Sequence, residues 1–214
     1  MSCCNHCVDA DGIFSRRLAQ RELKSYRRNG PRLTTRLLLR AIGPPENHAI
    51  TLLDIGSGVG VIPHELLASG LTSAVAVDAS AAYLEVSQHE ASRRGHNKRL
   101  TYYHGDFVDL ASALPSADVV TLDRVLCCYP DVEKLVESSV VKAKHVYGLV
   151  YPRERWITQI GVALVNTLLR LRGGPFRVYV HSSSIVDSIV RRHGFRPSSY
   201  SCTFLWQIVT YVRP

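Results

Sequence analysis

Apolar residues in this chain follow two rhythms. Short continuous runs alternate with longer stretches in which apolar positions recur every three or four residues. Runs at 50–55, 74–78, 117–123 and 145–151 read as buried strands, and 102–107 reads as the end of another. Helical patterns follow at 61–67, 80–94, 132–142, 157–171 and 182–193. Strands alternating with helices predict a mostly parallel sheet covered on both faces. Residues 176–181 read as extended. Residues 195–200 and 204–211 read as a closing hairpin, so the last strand is expected to be antiparallel. Local chemistry marks the boundaries: Ser80 and Asp131 suit N-caps, while Gly30-Pro31 and Gly173-Gly174-Pro175 are stops.

Two helical patterns, 13–28 and 33–42, precede the first strand. Phe14, Leu18 and Tyr26 suggest a seam on the first, beside many arginines. The division expected is a Cys-containing tail at 1–12, a helical cap at 13–45 and one α/β domain at 46–214. Within that domain, 153–172 reads as a lid-like helix. Its apolar residues occupy more than one face, so it suits a pocket lid, core packing or a membrane interface.

Composition narrows the class. With 214 residues and 46% hydrophobic content the chain is long enough for one well-packed domain. No run approaches the ~18 apolar residues of a membrane-crossing helix, and no secretory signal is evident, so a cytoplasmic location is expected. Cys3, Cys4, His6 and Cys7 cluster without a second ligand pair elsewhere. They read as a reducible tail rather than a metal site. The net charge of +8 is unevenly spread: +6 over residues 1–40, −5 over 41–150 and +7 over 151–214. Basic flanks around an acidic core favour an anionic partner: a carboxylate substrate, nucleic acid or an acidic membrane surface.

The chemistry concentrates where the first strand ends. Asp54-Ile-Gly56-Ser57-Gly58-Val-Gly60 is a glycine-rich turn between strand and helix, a geometry that brings a ligand close to free backbone N–H groups. Asp78 ends the next strand, 18 residues after Gly60, where an acid can accept both hydroxyls of a ribose. Asp106 and Phe107 follow the third strand and Asp123 ends the fourth. The glycine spacing is not that of the dinucleotide fingerprint. As a set, these residues over about 48–150 resemble the class I S-adenosylmethionine-dependent methyltransferases.

That resemblance implies a Rossmann-like, seven-stranded methyltransferase sandwich with an N-terminal helical cap, using S-adenosylmethionine. It assigns Asp54, Gly56, Ser57, Gly58 and Gly60 to the methionine end. Asp78, with Ala79 and Ser80 beside it, takes the ribose. Asp106 and Phe107 take the adenine, with Asp123 nearby. The order Asp123, Tyr129, strand, Pro152-Arg153, apolar helix, terminal helix and hairpin is similar to that of magnesium-protoporphyrin O-methyltransferases. That family has His-Tyr where this chain has Cys128-Tyr129, so only Tyr129 carries over.

The expected reaction is methyl transfer to a small, partly apolar, anionic molecule, most readily on oxygen. His181 and Tyr129 are the candidate catalytic residues. Arg124, Cys127, Cys128, Tyr151, Arg153, Arg155 and Trp156 are candidates for the substrate wall. The Asn/Asp-Pro-Pro-Tyr-like motif of nucleic-acid amino-methyltransferases is missing after the fourth strand. Methylation of RNA or protein through the basic flanks is the less favoured alternative, and a non-catalytic binding module is a third.

Overall fold

The computed structural model describes residues 15–43 and 50–214. The Cys/His tail, Ile13, Phe14 and the cap–domain boundary at Pro44-Pro45 lie outside the described residues.

Seven strands form one sheet: β1 (Thr51–Ile55), β2 (Ser73–Asp78), β3 (Leu100–His104), β4 (Ala117–Asp123), β5 (Ala143–Pro152), β6 (Arg196–Cys202) and β7 (Trp206–Val212). Their order is β3-β2-β1-β4-β5-β7-β6. The first five pair in parallel, and β7 pairs antiparallel with both β5 and β6. This is the expected Rossmann-like methyltransferase sheet. The helices are α1 (Arg16–Asn29), α2 (Leu33–Ile42), α3 (Val61–Ala68), α4 (Ala81–Arg94), α5 (Phe107–Leu110), α6 (Val132–Val140), α7 (Trp156–Leu171) and α8 (Ser183–Arg192).

Strand pleat sorts the apolar side chains into two layers. Leu53, Ile55, Val120, Leu122, Tyr147 and Leu149 pack with Leu135 and Val136 of α6 and with Ile189 of α8. Their neighbours Leu52, Ala74, Ala76, Val119 and Val150 face the other way, onto Leu38, Ile62 and Leu66 of α2 and α3. Asp106 caps α5 and Asp131 caps α6, each accepting a backbone N–H near the start of its helix. The short α5 has no counterpart in the sequence periodicity. Residues 176–181 pair with no strand. Their backbone is held instead by the Asn166 side chain at Val178 and by the Cys127 carbonyl at Tyr179.

The cap helix α1 lies across the glycine turn. Ala19, Leu23 and Tyr26 bury against Val59, Tyr83 and Val86. Ala19 and Leu23 join the seam expected from Phe14, Leu18 and Tyr26, of which Phe14 lies outside the described residues. Arg16 pairs with Glu85 at 2.7 Å and Arg27 with Glu90 at 2.6 Å. Tyr26 donates its hydroxyl hydrogen to Glu65, and the Arg94 guanidinium sits 4.8 Å from the Tyr26 ring centre. The basic face of α1 is thus partly neutralised by acids of α4.

Glu90 anchors this arrangement. It is fully buried and accepts from Arg27, Arg93 and Arg94. Burial alone would raise its carboxyl pKa, but the hydrogen bonds from Arg93, Arg94 and Arg27 outweigh it and hold the group well below the ordinary carboxylate range. An acid with a depressed folded pKa stabilises the fold above its unfolded value and loses that contribution as pH falls through the folded one. Glu90→Gln should therefore lower stability by about 2 kcal/mol at neutral pH. The loss should shrink below the ordinary value of 4.5. Urea unfolding of both proteins at several pH values measures it.

Candidate active site

The sheet order reverses beside β1, where β2 lies on one side and β4 on the other. A crevice opens there at the carboxyl ends of the strands, the position where open α/β sheets take ligands. The glycine turn forms its floor. Gly56 and Ser57 donate their N–H groups to the Val77 carbonyl at 2.7 and 3.1 Å. Gly56 has φ 65°, and a Cβ there would run into Val125. Gly60 has φ 79° and lies against Ser87, which leaves no space for a side chain. Asp78 accepts from the Gly58 N–H through one oxygen and from the Ser80 N–H through the other, each at 2.8 Å. The turn is thereby tied to the start of α4.

Two cavities share this floor. The smaller, about 80 Å³, is bounded by Asp54, Ser57, Arg32, Thr35 and Asp123 among others. Asp54 is 2% exposed and accepts from the Thr121 hydroxyl at 2.6 Å. Burial pushes its carboxyl up to about 8, with the Asp123 and Asp78 charges adding to the rise and the Thr121 bond opposing it. The Ser57 hydroxyl is buried with no hydrogen-bond partner among the described residues. A buried acid, an unpartnered hydroxyl and a nearby guanidinium suit the ammonium and carboxylate of an amino acid.

The larger cavity, about 330 Å³, runs from Asp78, Ala79, Asp106 and Phe107 to Cys127, Cys128, Tyr129 and Trp206. Asp106 caps α5 through Val108 and accepts from the Tyr129 hydroxyl at 3.1 Å. Cys127 and Cys128 lie on a 3-10 turn with their sulfurs 3.7 Å apart. The hydrogen bond with Cys128, then burial, raises the Cys127 thiol pKa. Arg124 borders both cavities. Its φ of 64° is the one left-handed value among described non-glycine residues. Its Nε donates to Asp123 at 3.1 Å, and Asp123 also accepts from Thr35 at 2.5 Å.

Other expected site residues lie elsewhere. The His181 ring is on neither cavity wall. Its Nε2 is 2.9 Å from the Tyr129 carbonyl and 3.0 Å from that of Leu126. Burial lowers its pKa, against the effect of those two carbonyls. Through these two carbonyls the ring braces the turn behind the cavity. Tyr151 is buried in the core layer beside α8, because the β5 pleat turns it away from the cavity. Arg153 donates to the Thr203 carbonyl at 3.2 Å and pins the β6–β7 turn. Arg155 and Trp156 open α7 at the surface. Ser80 and Gly60 shape the floor without reaching either wall.

Residues absent from the sequence expectation complete the walls. Glu22 borders both cavities, while Arg32 and Thr35 border the smaller. All three come from the cap, and Arg32 is held by Glu22 at 2.9 Å. Trp206 begins β7 and borders the larger cavity. The excess of arginine in the cap was the only sequence signal for Arg32. Trp206 had none, because it reaches the cavity through the β5–β7 pairing.

Residues 53–141 match the family model described as a methyltransferase domain. No curated protein matches by sequence. The fold is similar to magnesium protoporphyrin IX methyltransferase from Synechocystis PCC 6803, solved with bound SAH. That match has 19% identity, covers 85% of this chain and 82% of that one, and has a TM-score of 0.66. An O-methyltransferase family 2 protein from Planctomyces limnophilus, solved with apigenin, is similar at 16% identity. It covers 94% of this chain and 62% of that one, with a TM-score of 0.67. The [4+2]-cyclase SpnF also shares the fold, at 14% identity, 85% and 80% coverage and a TM-score of 0.62.

S-adenosylmethionine is the cofactor of such domains, and Asp54 gives a direct test of its fit. In the free protein the Asp54 carboxyl is mostly protonated at neutral pH. A cationic ammonium beside it favours the ionised form, so binding should release about one proton at pH 7. Calorimetry in buffers of different ionisation enthalpy counts that proton, and Asp54→Asn should abolish the release. Between the ordinary and folded pKa values the folded state holds the proton that the unfolded state has lost, so this group's contribution to stability falls as pH rises. Asp54→Asn should then stabilise the free protein at pH 8 while weakening cofactor binding. Asp78→Ala should weaken binding at least ~100-fold, since its carboxylate ties the glycine turn to the start of α4. Over residues 53–141 the chain matches a methyltransferase domain, and its fold is the one shared by class I S-adenosylmethionine-dependent methyltransferases.

Proposed function

We propose that the acceptor is a small, partly apolar, anionic molecule, methylated on oxygen. The carrying observation is the larger cavity, where the adenosine side continues into an apolar wall of Phe107, Val125, Leu135 and Trp206 with Arg124 at the junction. A guanidinium beside an apolar wall suits an aromatic or alicyclic carboxylate. The acids on the wall are already engaged: Asp78 with the turn, Asp106 with Tyr129, Asp123 with Thr35 and Arg124, Glu22 with Arg32.

S-adenosylmethionine, when bound, supplies a methyl group on a positively charged sulfur that a nucleophile can displace. The chain's residues supply alignment and exclusion of water. Asp54, Arg32 and Ser57 would hold the amino-acid end, Asp78 the ribose, and Asp106 with Phe107 the adenine. Arg124 would orient the acceptor's negative charge. We assign no general base, because a carboxylate acceptor arrives ionised. Tyr129 then serves the cofactor side through Asp106, and His181 is a positioning residue.

On the N-terminal flank, pairing of Arg16, Arg27 and Arg32 with Glu85, Glu90 and Glu22 reduces the charge offered to a nucleic acid. The cyclase of similar fold is a reminder that fold alone does not fix the reaction. Incubation of the full chain with methyl-labelled cofactor and a panel of aromatic carboxylates, their amides and short RNAs distinguishes the readings. Label is expected in the carboxylates, and label in RNA alone or in nothing would refute the proposal. Arg124→Gln should raise KM for the carboxylate about tenfold with cofactor affinity unchanged. His181→Ala should lower kcat by less than ~tenfold.

A further inference from the structure

The helix α7 turns an apolar stripe to the outside. A surface helix normally turns its polar side to water and its apolar side to the core. Here the polar residues Thr158 and Asn166 face the protein. Thr158 is buried, and Asn166 makes two hydrogen bonds to the Val178 backbone, at 2.8 and 2.9 Å. On the opposite face Trp156, Ile160, Leu164, Leu168 and Leu171 follow one another at helical spacing. Each is more than half exposed, from 53% for Ile160 to 79% for Leu171. The β6–β7 turn extends this surface. Phe204 is 65% exposed, and the Leu205 carbonyl accepts from the Arg153 N–H just before α7.

Charge indicates what covers the stripe. Between Glu154 and Asp187 there is no acidic residue, and there are four arginines: Arg155, Arg170, Arg172 and Arg177. Arg155 precedes α7, while Arg170 and Arg172 lie at its C-terminal end; all three are exposed. Glu154 is turned to the start of α8, where it accepts from Ser182 and Ser183. No helix among the described residues is long and apolar enough to cross a membrane. An apolar stripe with tryptophan at one end and cations at both ends matches the headgroup–acyl boundary of an anionic bilayer.

We propose that α7 and the β6–β7 turn dock this protein on an anionic lipid surface, with the stripe from Trp156 to Leu171 in the acyl boundary and Arg155, Arg170 and Arg172 among the headgroups. The turn that carries Phe204 and Leu205 leads directly into Trp206 on the larger cavity. The docked surface and the cavity therefore share an edge, and an apolar acceptor dissolved in lipid would enter beside Trp206. Only that last consequence rests on the proposed function.

Vesicle flotation of the full chain tests the docking without methyl transfer. The vesicles are phosphatidylcholine alone, or phosphatidylcholine with about one-third phosphatidylglycerol. The protein should float with the anionic vesicles and remain behind with the neutral ones. The double variants L164Q/L168Q and R170Q/R172Q should each lose roughly tenfold or more in partitioning. Their cofactor affinity and thermal unfolding should match the parent, since these positions are exposed and lie outside both cavities. Trp156 emission should shift blue on anionic vesicles and be quenched by brominated acyl chains, with Trp156→Phe as the control for Trp206. Failure of the parent to float, or flotation of both double variants at the parental level, would overturn the proposal. So would a parent that dimerises in sedimentation equilibrium while L164Q/L168Q is monomeric, because a second copy would then be what covers the stripe.

Discussion

Two backbone N–H groups converge on the carboxylate of Asp78, and the ligand end of the sheet takes its shape from that convergence. One N–H comes from the glycine turn after β1 and the other from the start of α4. The turn is thus fixed to the next helix, and α1 rests on both through Val59, Tyr83 and Val86. Through α1 and the segment after it, Glu22, Arg32 and Thr35 are set over the smaller cavity. An acid at the end of β2 therefore shapes the floor and, through the cap, part of the roof.

The uneven charge along the chain resolves into two different uses. At the N-terminal flank, arginines of α1 are spent on acids of α4, with Glu90 buried beneath three guanidiniums. At the C-terminal flank the arginines around α7 face outward beside apolar side chains. Net charges of +6 and +7 on the two flanks thus sit in different settings: part of the first is paired with acids of α4, while the arginines beside α7 lie along an apolar surface. Net charge counts both alike, so only the placement of partners separates them.

What could be read from the sequence follows from how local each determinant is. The strands of the sheet, the glycine turn, Asp54, Asp78 and Asp106 all announce themselves within a few residues, because buried runs and turns are local patterns. Tyr151 and His181 lie off both cavity walls for a reason the sequence does not record. Whether a β5 side chain meets the cavity or the opposite layer depends on the pleat, and a one-residue change of phase reverses it. His181 sits in a segment with no regular period, where the positions of backbone carbonyls decide the ring's role. Trp206 and Arg32 reach the site through pairings between distant parts of the chain, which no single window records. The helical pattern of α7 was legible, whereas the direction of its apolar face depended on where Asn166 found its hydrogen bonds.

The placement of β7 sets an order on assembly. It follows β6 along the chain yet lies between β5 and β6 in the sheet. During synthesis β6 emerges first with no strand to join, and it waits for β7 to be made before either can be added. The strands of the floor, β1, β2 and β4, are all made before Trp206 of the larger cavity's wall. The two sides of that cavity thus leave the ribosome at separate moments, and the wall is the last part of it to be supplied.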